Sequence, residues 1–311
     1  MTNYPSVSII IPTCDRLEML KRAAASVSAQ DYPNITEIII TDDGSGPETE
    51  RFCLEMAKKD KRVVYLKNTR YKKGPTGNKQ NAYDVAKGDF IAGVDDDDAL
   101  FPDAVSSLMK IGTEKGYEAF FSNCVRSDNG SFTGKNYGKS EEVRYEDLLC
   151  GKYEGEYFGI NSREIIKKAK FIHELAGMEG IVWLTLYKEM KITAYYLHKA
   201  GRLYGVHDGQ FSNTYEKNAE RSFNSYKTYL EIFSQDLARL CPAKYAYMNQ
   251  LAAYFAKLSG RTGKAVFHSL AAAKAKKISP FSWFFFLLML VPLPPKAVVF
   301  MKNIFTRARK L

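Results

Sequence analysis

The C-terminal part of this 311-residue chain lacks acidic residues. The last one is Asp236, and Leu237 to Leu311 contains 13 Lys or Arg and no Asp or Glu. The preceding part holds the other 32 basic residues and all 35 acidic residues, so the tail alone gives the chain its net charge of +10. This asymmetry predicts a polyanionic partner, either nucleic acid or an anionic membrane surface.

The chain also lacks an apolar run long enough to cross a bilayer. Ile278 to Pro295 is uncharged, but its apolar core from Trp283 to Val291 is shorter than the about 20 residues a spanning helix needs. This absence excludes a processive synthase. Because the Trp/Phe-rich segment lies between basic stretches, we expect it to lie in the interface of one leaflet. A core helix followed by a basic tail is the alternative.

Two further absences limit the class of protein. The N-terminus, "MTNYPSVSIII", has no basic region followed by a long apolar run, and we expect it to form the first strand of a fold and not a signal peptide. No pair among the five cysteines has the spacing of zinc ligands. The sequence thus favours a cytoplasmic protein without a zinc domain.

Strands and helices alternate in the first half of the chain. Continuous apolar runs predict strands at 6–11, 37–41, 63–66 and 90–94, with helical spacing at 17–30, 48–59 and 78–86. This order indicates βαβ units and a mostly parallel sheet, whose ligands bind at the carboxyl ends of the strands. Polar clusters follow three of the four predicted strands: "PTCDR", "DDGSG" and "DDDD".

Later elements are less regular. Residues 123–157 are rich in Ser, Asn, Gly and Lys and predict loops and short strands. Helical patterns follow at 162–170 and 181–190, a strand pattern at 192–197, and an Ala/Lys-rich helical pattern from 223 onward.

The four consecutive aspartates, Asp95 to Asp98, come directly after the fourth predicted strand. If the strand continues, Asp95 and Asp97 point to one side, and Asp96 and Asp98 to the other. Carboxylates on one side repel each other unless a cation intervenes, and Mg²⁺ binds carboxylates together with substrate phosphates. A helix cap is the alternative, but a cap accounts for only one carboxylate. The run therefore predicts a site for a metal ion and a phosphate group.

Three stretches of the first half carry a family resemblance. They are "VSIIIPTCDR", "EIIITDDGSG" and "GPTGNKQNAYDVAKGDFIAGVDDDDALFP". They resemble the opening strand and nucleotide loop, the Asp-Asp-Gly-Ser turn and the Asp-x-Asp region of family 2 glycosyltransferases with the GT-A fold. The resemblance is strong over roughly the first 120 residues and continues weakly to about residue 215, and the motifs are specific jointly. It implies an inverting enzyme of the kind that builds bacterial cell-surface or lipid-linked glycans.

The resemblance also implies a fold and a domain division. We expect an α/β GT-A fold, Rossmann-like with a mostly parallel central sheet, over residues 1–222. Its nucleotide-binding half would cover about 1–120 and its acceptor half about 121–222. A basic, helical, membrane-associating extension would follow over 223–311, with the interfacial apolar segment at 278–295.

Roles for the first two loops follow by matching position. Pro12, Thr13 and Asp15 would line the base and ribose pocket, partly through backbone groups. Asp43 would accept a hydrogen bond from the uracil ring N–H, which favours uridine over cytidine. An Asp-Gly turn is the alternative role for Asp42 and Asp43.

The third matched stretch departs from the family at two positions. Lys79 stands where the family usually has Arg, and would meet a phosphate as a point charge without bidentate geometry. Gln80 replaces the usual Asn. Asp95 and Asp96 would face the ribose and diphosphate, and Asp98 would be structural or lie near the sugar.

A metal ligand pair and a general base complete the implied site. Asp97 would coordinate a divalent metal, Mn²⁺ or Mg²⁺, that acts as a Lewis acid on the diphosphate. His207 matches a histidine that binds the metal in related enzymes, with Asp208 as its partner. Glu179 in "GMEGIVWLTL" matches an acid that takes the acceptor proton. The alternatives are a surface histidine and a helix-start acid favoured by the helix dipole.

Together these features predict a metal-dependent, inverting glycosyltransferase. It would move a hexose, with glucose or galactose as the first choice and N-acetylhexosamine as another, from a UDP-sugar to a hydroxyl of a lipid-linked or cell-surface glycan. We expect attachment to the inner, cytoplasmic face of the cell membrane, an anionic membrane surface as partner, and no nucleic acid partner.

Two other classes of function remain as alternatives. A sugar nucleotidyltransferase also pairs acids with a metal, but "PTCDRLEML" lacks the glycines of its phosphate loop. A basic membrane- or nucleic-acid-binding protein without enzymatic activity leaves the net negative first part of the chain unexplained.

Overall fold

The computed structural model describes residues 4–135, 138–171, 175, 177–207, 216, 218–275, 291 and 297. The chain divides into two compact units, residues 1–207 and residues 208–311. The domain division predicted at residue 222 falls inside the helix Ala219–Leu240 and stays a prediction.

The first unit contains one sheet, which has nine strands among the described residues. In chain order they are β1 (Val7–Thr13), β2 (Ile35–Asp42), β3 (Val63–Lys67), β4 (Phe90–Gly93), β5 (Ala99–Leu100), β6 (Ala119–Arg126), β7 (Glu141–Val143), β8 (Tyr157–Ser162) and β9 (Ala194–Tyr204). The spatial order is β3-β2-β1-β4-β8-β6-β9-β5, with β7 also paired to β9. β3, β2, β1 and β4 are parallel to one another.

Helices connect and cover these strands. In the first unit they are α1 (Leu17–Ser28), α2 (Pro47–Lys59), α3 (Pro75–Tyr83), α4 (Ala104–Lys115), α5 (Tyr145–Leu149), α6 (Arg163–Lys168) and α7 (Gly180–Met190). The second unit contains α8 (Ala219–Leu240), α9 (Pro242–Leu258) and α10 (Thr262–Ala273). Proline occupies the first turn of α2, α3 and α9, where its missing N–H leaves no helical hydrogen bond unmade.

The core of the first unit explains why the first four strands were predictable. Every residue of β1 is buried, because helices pack on both faces of a parallel sheet. Its isoleucines pack with those of β2 and with the apolar faces of α1 and α4, where Leu20 and Leu108 are fully buried. Continuous β-branched runs are the sequence signature of strands buried in this way.

The predicted α/β GT-A architecture is confirmed, with its parallel half where the sequence placed it. The helix predicted at 78–86 begins three residues earlier, because Pro75 starts it. The second half of the sheet is mixed: β8 runs antiparallel to both β4 and β6, whereas β9 runs parallel to β6. The helix predicted at 162–170 is shorter, since residue 162 ends β8 and its hydroxyl caps α6.

The second unit is a helical bundle in the part that the structure describes. Phe223 of α8 packs with Tyr254 and Phe255 of α9 and with Ala265 of α10. None of the described helices is both long and apolar enough to cross a membrane. The interfacial segment predicted at 278–295 lies outside the described residues except for Val291, as does Asp208.

Candidate active site

The candidate site lies where three neighbouring parallel strands end. β1 and β2 finish side by side, with Thr13 opposite Asp42, and β4 finishes on the other side of β1, with Gly93 opposite Ile10. Polar loops leave all three ends at one edge of the sheet. This edge is where open α/β sheets bind their ligands.

The loop after β1 is tied to the turn after β2. Asp15 has a positive φ of 51° and projects its carboxylate to the backbone N–H of Gly46, 3.1 Å away. Its own N–H donates to the hydroxyl of Ser45 at 2.8 Å. Pro12 is buried in β1, and the Thr13 hydroxyl donates to Asp96 at 2.8 Å. The two loops therefore form one surface at the end of the sheet.

Asp42 and Asp43 have different contacts. Asp42 Oδ1 accepts hydrogen bonds from the N–H groups of Gly44 and Ser45, which makes Asp42 the acid of an Asp-Gly turn. The Asp43 carboxylate instead faces the segment after β3, where it accepts from Asn68 Nδ2 at 2.8 Å and from the N–H of Gly74. The turn alternative thus describes Asp42, while uracil recognition by Asp43 stays a prediction.

Helix α3 places a basic side chain at the aspartate run. Asn78 donates to the carbonyls of Thr13 and Thr41, which fixes the helix to the ends of β1 and β2. One residue further, Lys79 Nζ lies 3.0 Å from Asp95 Oδ1. Burial acts to lower the pKa of Lys79, but the charges of Asp95 and Glu179 outweigh it and raise the pKa.

Gln80, the second departure from the family pattern, is buried and structural. Its amide donates to Asp84 at 2.6 Å, and its carbonyl oxygen accepts from the N–H of Phe171 at 3.0 Å. Gln80 therefore connects α3 to the segment that precedes α7.

Buried and partly exposed residues alternate along the aspartate run, although its backbone forms a turn and does not continue the strand. β4 ends at Gly93, and the N–H of Asp98 donates to the carbonyl of Asp95 at 3.0 Å, which closes a turn. Asp96 and Asp98 are buried, at 0% and 3% exposure, whereas Asp95 and Asp97 are partly exposed. The predicted division into two pairs is therefore present, with the buried pair facing protein groups.

Arg16 separates two of these carboxylates. Its guanidinium lies 2.5 Å from Asp96 Oδ1 and 3.1 Å from Asp97 Oδ2. Burial raises the pKa of Asp96 to about 6, although Arg16 and the Thr13 hydroxyl act in the opposite direction. Both Asp96 oxygens thus have protein partners, and its ribose or diphosphate contact stays a prediction.

The two residues predicted to bind a metal, Asp97 and His207, lie next to each other, and their role as ligands stays a prediction. His207 Nε2 lies 2.9 Å from Asp97 Oδ2, and both side chains are partly exposed. A carboxylate oxygen and an imidazole nitrogen that converge in this way fit a divalent ion such as Mn²⁺. Among the residues that the structure describes, no three His, Cys, Asp or Glu side chains group as metal ligands. The ion would therefore depend on substrate oxygens for its other positions.

Asp98 joins the run to the end of β9. Its Oδ2 lies 3.1 Å from Arg202 NH1, and its Oδ1 accepts from the N–H of Gly205 at 2.8 Å. Burial raises the pKa of Asp98 to about 7, against the lowering effect of Arg202. Asp98 does not face solvent, which agrees with the structural role that was one of its two expected roles.

Glu179 lies at the start of α7. It is half-buried, and its side chain caps no N–H group of the helix. Its charge contributes to raising the pKa of both Lys79 and Tyr83. The helix is held near α3 by aromatic packing: the rings of Tyr83 and Phe171 stack at 5.4 Å, and Trp183 packs edge-on to both. The structure thus brings the predicted base to the predicted phosphate-binding lysine.

Sequence reasoning missed Arg16 and Arg202, which neutralise the aspartate run. Arg16 lies within the quoted "PTCDR" loop, and four adjacent acids signal that nearby cations are needed. Arg202 carries no comparable signal, because its burial results from the pairing of β9 with β5 and β6.

A parallel half ending in an aspartate turn, extended by a mixed sheet, is the α/β architecture of the GT-A fold. Solved structures share this fold. S. aureus TarS 1–349 in complex with UDP matches with a TM-score of 0.58 and 18% identity, over 92% of this chain and 81% of that chain. The Pyrobaculum calidifontis mannosyltransferase PcManGT, in complex with GDP-Man and Mn²⁺, matches with a TM-score of 0.57 and 14% identity, over 98% and 88%. At these identities the likeness shows the fold alone.

Residues 8–173 match Glycosyl transferase family 2, and the chain belongs to this family. It is 33% identical over 297 residues to the Campylobacter jejuni GalNAc(5)-diNAcBac-PP-undecaprenol beta-1,3-glucosyltransferase, covering 93% of this chain and 94% of the relative. It is 27% identical over 190 residues to the Escherichia coli UDP-Glc:alpha-D-GlcNAc-diphosphoundecaprenol beta-1,3-glucosyltransferase WfgD, covering 60% and 72%. The chain is therefore a glycosyltransferase, as predicted, and the nucleotidyltransferase and non-enzymatic alternatives are set aside.

Proposed function

We propose that this enzyme transfers glucose from UDP-glucose, with inversion, to a hydroxyl of a polyprenyl-diphosphate-linked glycan. The observation that carries the proposal is the meeting of Lys79, Asp95, Asp97, Glu179 and His207 at the carboxyl end of a GT-A sheet. Full-length similarity to a glucosyltransferase named for an undecaprenol-linked substrate supports the sugar and the acceptor class.

The proposed reaction needs one nucleophile, one leaving group and one base. The acceptor hydroxyl oxygen forms a bond to the anomeric carbon while the bond from that carbon to UDP breaks, and UDP leaves with the electron pair. Glu179 takes the proton of the hydroxyl as general base. Its charge acts on Lys79, the proposed diphosphate-binding residue, and this supports a place for Glu179 at the same site.

The other side chains bind and hold the donor. The loops after β1 and β2, with Pro12, Thr13, Asp15 and Asp43, form the proposed pocket for the base and ribose. Lys79 provides a positive charge beside Asp95 for the diphosphate.

A divalent ion completes the proposed site. Asp97 and His207 would hold Mn²⁺ or Mg²⁺, and the ion, when bound, supplies Lewis-acid stabilisation of the leaving diphosphate. Because two ligands converge here among the described residues, and substrate oxygens would fill further positions, binding of the ion and of the nucleotide should reinforce each other.

The proposed location is the cytoplasmic face of the cell membrane, with the enzyme attached peripherally. α10 supports an anionic surface as partner. Phe267 is 64% exposed, and Lys264 and Lys274 are exposed on the same face of this helix. An exposed aromatic ring flanked by lysines fits the interface of an anionic bilayer.

The test is transfer by the purified full-length chain. The donors are UDP-glucose, UDP-galactose and UDP-N-acetylglucosamine, each with Mn²⁺, Mg²⁺ or EDTA, and the acceptors are polyprenyl-diphosphate glycans ending in GalNAc or GlcNAc. We expect radiolabelled glucose to enter the lipid fraction together with stoichiometric UDP, and EDTA to abolish this. Transfer from another donor only would overturn the sugar, and full activity in EDTA would overturn the metal requirement.

A further inference from the structure

The end of β9 is fastened to the aspartate run by one buried ion pair. We propose that Asp98 and Arg202 are positioning residues that hold His207 against Asp97, and so set the geometry in which this pair binds a divalent cation. The inference rests on the metal role proposed for Asp97 and His207.

The Asp98 carboxylate has two contacts within the segment that leads to His207. Oδ2 lies 3.1 Å from Arg202 NH1, and Oδ1 accepts from the Gly205 N–H at 2.8 Å. Asp98 is the neighbour of Asp97 in the chain, and Gly205 is two residues before His207. One carboxylate therefore couples the two predicted metal ligands through short stretches of backbone.

Gly205 allows this approach because it has no side chain. A Cβ at this position would lie 2.1 Å from the carbonyl oxygen of Asp97, far inside a van der Waals contact. The two backbones therefore touch directly beside the Asp97–His207 pair. The pairing of β5 with β9, Ala99 opposite Leu203, holds the same two segments together on the other side of Asp98.

The position of Arg202 suits a residue that holds Asp98 in place and does not contact the substrate. It is 5% exposed, and its three nitrogens are directed at Asp98, at Glu156 Oε2 (3.5 Å) and at Cys124 Sγ (3.2 Å). The pairing of β6 with β9 is irregular here, since residues 123 and 124 lie opposite 200 and 202. Irregular pairing of this kind changes the direction of side chains next to active sites. Here it occurs at Arg202, whose side chain points at the aspartate turn.

The experiment measures Mn²⁺ affinity by electron paramagnetic resonance in the presence of saturating UDP. The variants of the whole chain are Arg202→Met, Asp98→Asn and the double variant. The double variant removes both charges of the ion pair, so neither partner is left buried without the other. The matched control is Arg62→Met, which removes an ion pair with Asp60 beside β3, at the opposite edge of the sheet. Unfolding temperatures and UDP affinity in EDTA are recorded for each protein.

We expect the Mn²⁺ dissociation constant to rise about tenfold or more in the three variants and to stay unchanged in the control. UDP affinity in EDTA should be the same in all five proteins, which a general loss of structure would not allow. Wild-type Mn²⁺ affinity in the folded double variant would overturn the positioning role alone. Absence of Mn²⁺ binding by the wild-type chain would overturn the metal role together with it.

Discussion

His207 Nε2 lies 2.9 Å from Asp97 Oδ2, although 110 residues separate the two positions in the chain. A hydrogen bond between these atoms places a proton where a metal ion would bind, because a ligating imidazole must offer its lone pair. Arg16 NH1 approaches the same carboxylate oxygen at 3.1 Å. An imidazole and a guanidinium thus meet at one carboxylate oxygen, Asp97 Oδ2.

Replacing Asp97 by Asn should weaken the part of UDP binding that depends on metal. We expect UDP affinity with Mn²⁺ to fall about tenfold or more, to the value seen in EDTA, because the ion loses its carboxylate ligand. Calorimetry with UDP, with and without Mn²⁺, measures this. Since metal ions compete with protons for such ligands, the wild-type Mn²⁺ affinity should also fall as the pH is lowered. Equal UDP binding by Asp97→Asn and wild type with Mn²⁺ present would refute the metal assignment.

Glu179→Gln should reduce turnover and leave donor binding unchanged. Removing a general base lowers kcat by roughly 10² to 10⁴-fold, while Gln keeps the size and polarity of the side chain. Steady-state kinetics together with UDP calorimetry separate the two effects. Glu189→Gln is the control, because Glu189 is exposed near the other end of α7. Near wild-type kcat in Glu179→Gln would mean that another group takes the proton.

Lys79→Met should raise the KM for the UDP-sugar about tenfold, and Lys79→Arg should restore most of the loss. The raised pKa of Lys79 keeps its ammonium charged: Asp95 and Glu179 outweigh the opposite effect of burial. A group with a raised pKa loses its proton only above its ordinary range, so this charge should not limit KM up to about pH 9. KM measured between pH 7 and 9 tests this, with the exposed Lys87→Met as control. A KM that rises steeply over this range in wild type, but not in Lys79→Arg, would contradict it.

Much of the fold was predictable because the parallel strands carry their own signal. β1 and β2 each contain three consecutive buried isoleucines, Ile9 to Ile11 and Ile38 to Ile40, and such β-branched runs are a strong strand signal. β8, "YFGINS", was missed because it is short and contains Gly159 and Asn161, residue types that are uncommon in strands. Its place between β4 and β6 comes from pairing with distant strands. Periodicity reports local burial, whereas strand order depends on contacts far apart in sequence.

The site was predictable to the same extent. Asp15, Asp43 and the aspartate run follow predicted strands, and Lys79 lies on a predicted helix, so their meeting at one edge follows from topology. Arg202 lies in the part of β9 beyond the predicted strand 192–197, where an irregular register with β6 decides which way each side chain points. No local pattern encodes that register, because it is set by the partner strand.

Acidification should destabilise the second unit through His268. This residue is buried in α10, and its Nδ1 lies 3.0 Å from Asn249 Oδ1. Burial lowers the pKa of His268, assisted by Lys264 and opposed by Glu231. His268 therefore binds a proton near pH 6.5 in the unfolded chain but only at lower pH in the folded chain. Protonation favours the unfolded state, so the folded state loses stability as the pH falls below about 6.5. The difference between the unfolding temperatures at pH 7.5 and pH 5.0 measures this loss of stability. We expect that difference to be a few degrees smaller in His268→Gln than in the wild type, since each kcal/mol shifts Tm by about 2–4 °C. His198→Gln, a half-buried histidine of the first unit, is the control. The same loss in His268→Gln as in wild type would contradict the assignment.

The exposed face of α10 should determine binding to anionic vesicles. Phe267→Ser removes the most exposed large apolar side chain of the described residues, and Lys264→Glu reverses a charge beside it. Each lysine near an anionic surface contributes about 1 kcal/mol, so the charge reversal should weaken binding at least about fivefold. Co-sedimentation with phosphatidylglycerol vesicles at low and high salt measures this, because the electrostatic part is screened as salt rises. Lys58→Glu makes the same charge change on an exposed residue of α2 in the first unit and should have a smaller effect. Vesicle binding that is equal in all variants, or equally strong wild-type binding to duplex DNA, would contradict the membrane surface proposed for this helix.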